Sequence, residues 1–177
     1  MVALRENGQL LRQLSTVENE WPDIPVALTS YKGVSGDSRV GGNLSMFAGT
    51  EPDCSANGGC NGLFWRVTYQ EPQRLANVLD GTSNTFMVGE DVPEEHIWST
   101  AFYANGDWSS CHIPLNFYPD PPRRGDYFDV VSFRSRHPGG AHFCMADGSV
   151  QFISETIEHA TYRALSTRDG GEAVALP

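Results

Sequence analysis

The sequence is nearly without lysine. Lys32 stands alone among 12 basic residues, set against 22 acidic ones. A net charge of −10 leaves no basic patch to draw in phosphate, which excludes nucleic-acid binding and electrostatic docking on an anionic membrane surface. No run approaches the roughly 18 apolar residues of a membrane span. There is no internal repeat and no collagen, coiled-coil or low-complexity composition. Catalytic signatures are missing too. Gly33-Val-Ser35-Gly36 comes near a Gly-x-Ser-x-Gly elbow but lacks its spacing. No glycine-rich phosphate loop links a strand to a helix. Met1 opens onto Val-Ala-Leu-Arg-Glu-Asn-Gly, which has no apolar signal core, so an exported chain is expected to carry its targeting segment upstream.

What the chain does have is glycine (18), proline (11) and aromatics (9 Phe, 6 Tyr, 4 Trp), in a length that suits one domain. Turns and irregular connections around an aromatic-anchored β core are expected, rather than a helical bundle. Residues 8–19 carry Leu10, Leu14 and Val17 at helical spacing, with Leu11 beside them, and Trp21-Pro22 and Ile24-Pro25 end the pattern. Residues 1–25 therefore read as an amphipathic helix and linker, and residues 26–177 as a globular head. Leu63-Phe-Trp-Arg-Val-Thr-Tyr and Thr85-Phe-Met-Val-Gly read as strands.

Ala141–Ala146 and Ser149–Ile153 flank Asp147-Gly148, which predicts a hairpin closed by a type I′ turn. That register pairs Met145 with Val150 and Phe143 with Phe152 on one apolar face, and puts His142, Cys144, Ser149, Gln151 and Ile153 on the other. A helix follows, with Ser154 as N-cap, an inner stripe of Ile157, Ala160, Thr161, Ala164 and Leu165, and Asp169-Gly170-Gly171 as its stop.

Four cysteines leave three readings open. Cys54 and Cys60 flank a flexible loop that a small disulfide would close, which leaves Cys111 to pair with Cys144. The alternatives are a four-thiolate zinc site, disfavoured because no two cysteines lie two residues apart, and four free thiols.

Three blocks occur in order: Leu75–Glu90 around Asp80-Gly-Thr-Ser-Asn84, Phe133–Gly140 followed by Asp147-Gly148, and Leu165–Glu172. Together with Thr29–Gly36 they resemble a large bacterial family of secreted, G-type pseudopilin-like or prepilin-like proteins of unknown function. The family carries a C-terminal signature of histidine, nine residues and Asp-Gly, and it is also labelled a solute-binding family. The resemblance covers about residues 29–174. It implies an α+β fold: an antiparallel sheet forming a pilin-type head, with short N-terminal and C-terminal helices. It also implies export to the cell surface or outside, disulfides, and like or related pilin subunits as partners in a filament.

In the signature, His137, Gly139, Gly140, Asp147 and Gly148 read as a structural buckle, with His137 holding the loop onto the hairpin. The competing reading makes His137 a ligand or base with His142 and Asp147. Asp80, Thr82 and Asn84, with Glu90 downstream, place oxygens as a calcium loop does, although Thr85 stands where an EF-hand needs glycine; otherwise no cofactor is expected. Glu90-Asp91 and Glu94-Glu95-His96 read as a solvated acidic stretch. Trp98, Tyr103, Trp108 and Tyr118 are candidates for stacking on a glycan or other solute. The expected function is non-catalytic assembly of a fibre. A carbohydrate- or solute-binding module and a hydrolase with a dispersed site are the alternatives.

Overall fold

A computed structural model describes residues 5–6, 9–10, 27–51, 53–54, 59–66, 72–96, 98–101 and 106–172. Tyr103 and most of the predicted N-terminal helix lie outside these residues. At its start, Arg5–Glu6 (β1) pairs antiparallel with Gln9–Leu10 (β2), so Gln9 and Leu10, within the stretch 8–19 expected to be helical, are extended.

The body is a five-stranded sheet in the order β5-β3-β4-β6-β7, built from Tyr31–Val34 (β3), Phe86–Glu90 (β4), Trp108–Ser109 (β5), Gly140–Met145 (β6) and Val150–Ser154 (β7). Two short α-helices accompany it among the described residues, Tyr127–Val130 (α1) and His159–Ala164 (α2). The fold is small α+β, but the sheet is mixed rather than antiparallel. β5 runs parallel to β3: β4 ends at Glu90 opposite Tyr31, the first residue of β3, and β5 sets out from that same end. The expected strand at Leu63 is irregular in its described part. The Leu63 and Phe64 N–H groups both donate to the Val34 carbonyl instead of forming a ladder.

One face of the sheet carries the core. Phe86, Phe133, Ala141, Phe143, Met145, Ile153, Tyr162 and Leu165 pack there, with Phe86 and Phe143 stacked at 4.3 Å. Gly89 sits where two rings cross the strand; a Cβ there would stand 2.5 Å from both Phe133 and Phe143.

The hairpin corrects the predicted register. Cys144 pairs with Val150 and His142 with Phe152. Only Gly148 takes positive φ, at 86°, so the turn is not type I′. Ala146, Asp147 and Gly148 form a three-residue connection between Met145 and Ser149: the Met145 N–H donates to the Ser149 carbonyl and the Gly148 N–H to the Met145 carbonyl. One extra turn residue shifts β7 by one position, and a one-residue shift exchanges its faces. Ile153 is buried, while Val150 and Phe152, expected in the core, are exposed. The last helix also starts later than expected. β7 runs through Ser154, and Glu158 is the N-cap, its carboxylate accepting the Thr161 N–H.

Cys54 and Cys60 are bonded. Cys111 and Cys144 are free rather than paired. Cys111 lies in the core on one side of the sheet and Cys144 faces the other, so the sheet separates them. Burial pushes the Cys111 thiol up to about 12.

Candidate functional site

The outer face of the sheet acquires its chemistry from an irregularity in β4. Strict alternation would put Phe86, Val88 and Glu90 on one face and drive a carboxylate into the core. The ladder shifts register between Phe86, which pairs with Met145, and Val88, which pairs with Cys144. With that bulge, Phe86 and Gly89 both face inward, and Val88 and Glu90 both face outward.

Glu90 therefore emerges between Tyr31 of β3 and His142 of β6. Its Oε2 accepts the His142 N–H at 2.9 Å and lies 3.6 Å from His142 Nδ1. Its Oε1 lies 3.2 Å from Nε2 of His137, which arrives on the loop before β6. The two imidazoles meet edge-on at 4.9 Å, and His142 rests against Phe152 at 5.2 Å. Burial alone would raise the Glu90 carboxyl. The His142 N–H, the Ser135 hydroxyl and the two imidazoles outweigh it and hold the group below the usual glutamate range. A groove of about 390 Å³ runs over these residues, bounded by Tyr31, Val88, Cys144 and Val150. His137 is solvent-facing, with its side chain 54% exposed.

Of the signature residues, His137 is tied to β4 rather than to the hairpin turn. Asp147 is exposed and accepts the Ser149 N–H within its own turn, away from both imidazoles. Gly139 takes positive φ at 82°, and Gly140 lies against the Ile153 carbonyl, where a side chain has no room. The calcium set does not assemble. Asp80 spends its two carboxylate oxygens on the Gly170 and Gly171 N–H groups at 2.8 and 2.9 Å, so it ties down the C-terminal turn. Thr82 and Asn84 form the helical turn beside it, while Glu90 lies at the far end of β4 with imidazole partners. Of the aromatic set, Trp98 and Trp108 share one interior cluster bridged by Tyr127, and Tyr118 stands elsewhere. Trp108 is buried with Val40 and Val131; Trp98 packs edge-on against Tyr127 at 4.9 Å; Tyr118 lies apart under the Arg134 guanidinium and donates to the Ser135 carbonyl.

The acidic stretch at 90–96 is half buried charge network rather than solvated loop. Lys32, Asp91, His96, Ser99 and Arg134 are all buried. Lys32 Nζ donates to the Trp98 carbonyl at 2.5 Å and lies 3.4 Å from Asp91. Burial lowers the Lys32 pKa against the pull of Asp91. Asp91 is held well below the usual carboxylate range: burial opposes its charge, but His96, Lys32 and the Ser99 hydroxyl win.

Serine, histidine and aspartate meet here, yet not as a hydrolytic triad. His96 Nδ1 accepts the Trp98 N–H, so the proton sits on Nε2, which donates to Asp91 at 2.9 Å. Ser99 donates to the same carboxylate. With Nε2 already protonated, the imidazole has no lone pair for the Ser99 proton. A second buried set, Ser45, His112 and Asp129, pins the 45–47 segment: Ser45 donates to Asp129 at 2.9 Å, and Asp129 also accepts the Met46 N–H.

Sequence reasoning had His137 and His142 in view and grouped Glu90 with the wrong partners. Placing Glu90 correctly required the β4–β6 pairing and the bulge. It missed the Lys32–Asp91–His96 network, whose one legible signal was a solitary lysine inside an apolar strand.

No curated protein and no solved structure matches the chain. Residues 29–160, about three quarters of the sequence, match the family SBP_bac_10, described as a protein of unknown function (DUF1559), and the chain belongs to that family.

Proposed function

We propose that this domain is a non-catalytic head that works by contact, assembling with like or related pilin-type subunits in an exported, cell-surface or secretion-type fibre. The observation that carries this reading is the free edge of the sheet. β7 is the outermost strand and has no strand neighbour on its outer side among the described residues. It presents Val150 and Phe152, 63% and 49% exposed, and Tyr31 stands 61% exposed on the same sheet face. An open edge flanked by apolar side chains is a template for pairing with another chain. The resemblance of the ordered sequence blocks to pseudopilin-like proteins supports the same reading.

The test is sedimentation velocity on the purified full chain across a concentration series, with negative-stain microscopy of native material. Association that increases with concentration is expected, and a Val150→Lys/Phe152→Lys variant should shift towards monomer with an unchanged melting temperature. A chain that stays monomeric throughout, in material without fibres, would overturn the proposal. A second reading, an exported solute-binding module, is favoured by the groove between Tyr31 and Val150. It predicts a solute-dependent rise in melting temperature without assembly.

A further inference from the structure

We propose that Glu90, His137 and His142 bind one divalent transition-metal ion of the zinc, nickel or copper class. The site stands on three side chains of the outer sheet face and is independent of assembly. One carboxylate oxygen and two imidazole nitrogens lie within 4.8 Å of one another. Bonds of about 2.0–2.2 Å at tetrahedral angles need donors about 3.4 Å apart. Each imidazole already stands near that spacing from one oxygen of the carboxylate: His137 Nε2 lies 3.2 Å from Oε1, and His142 Nδ1 lies 3.6 Å from Oε2. The remaining adjustment, bringing the two rings together, falls on His137, the most exposed of the three, on a loop followed by Pro138 and Gly139.

The other two donors are set in advance. Glu90 is aimed by the bulge and anchored by the His142 N–H. His142 is fixed by strand pairing and by the Phe152 ring behind it. The groove leaves the outward side open, so water or an exogenous ligand completes the coordination. Two imidazoles and one carboxylate select borderline metals over calcium or magnesium, which prefer all-oxygen sets. The net charge of −10 favours cation approach.

The experiment is isothermal titration of ZnCl₂, and separately CaCl₂, into the full chain produced without a histidine tag and stripped with EDTA. One zinc per chain and no calcium signal are expected. His137→Ala and His142→Ala should each weaken zinc by at least about tenfold. Cys144→Ser should leave the isotherm unchanged, which separates this site from adventitious binding by the thiol in the groove. Electron paramagnetic resonance with CuCl₂ gives a readout that a purely structural role would not move: nitrogen hyperfine lines in the wild type that fade in the His137→Ala/His142→Ala variant. His137 is solvent-facing, so His137→Ala is expected to fold, and circular dichroism checks this. Absence of saturable zinc binding, an isotherm unaltered in folded His137→Ala, or binding abolished by Cys144→Ser would overturn the proposal.

Discussion

Acidification from pH 7 to pH 5 should remove a large part of the stability of this fold through two buried imidazoles. Burial lowers the His96 pKa from 6.5 to about 4, against the attraction of Asp91. Burial likewise lowers His112 from 6.5 to about 4, against the Phe128 backbone and Asp129. Both are neutral in the folded chain down to about pH 4, whereas in the unfolded chain they take up a proton below about 6.5. Between these limits the unfolded state binds more protons, so stability falls as pH falls. It is fully present above about 6.5 and declines through the window down to about 4. Carried from pH 7 to pH 5, each histidine costs about 2 kcal/mol, and the pair about 4 kcal/mol. That is a large share of the roughly 5–15 kcal/mol that holds a domain of this size together. His159, lowered chiefly by burial, acts in the same direction. The assay is urea unfolding at both pH values with a constant slope. His96→Asn and His112→Asn should each lower stability at pH 7 and flatten the pH dependence by about 2 kcal/mol. A stability at pH 5 equal to that at pH 7, or a pH dependence untouched by both variants, would refute the reasoning.

Two further outcomes follow from burial and register. Asp91→Ala strands Lys32 as a buried charge whose principal carboxylate partner is gone, and should cost about 3–5 kcal/mol in urea unfolding; a loss below about 1 kcal/mol would show that the network relaxes around water. Ile153→Ala empties a core position and should cost about 2–5 kcal/mol, whereas Phe152→Ala, its exposed neighbour, should cost well under half as much. The reverse order would restore the register expected from the sequence.

Thr85–Gly89 and the Ala141–Ile153 hairpin were legible because β-rich runs bounded by turn residues leave little choice of conformation. The hairpin register was not. Asp147-Gly148 fits either a two-residue type I′ turn or the end of a three-residue connection, and that one-residue ambiguity decided whether Phe152 or Ile153 entered the core. Leu63-Phe-Trp has strand composition, but the Leu63 and Phe64 N–H groups are taken by the Val34 carbonyl, an arrangement no local pattern encodes.

By itself the sequence determined the acidic, nearly lysine-free composition, the absence of a long apolar run, the small loop between Cys54 and Cys60, the family blocks and the presence of two histidines near the hairpin. These are properties of composition and short-range spacing. Tertiary structure decided which carboxylate those histidines meet, which cysteines stay apart, and that Lys32, Asp91 and His96 are interior. Each depends on pairing between strands far apart in the chain. In β4 a single bulge, invisible in local periodicity, turned Glu90 from the core to the groove.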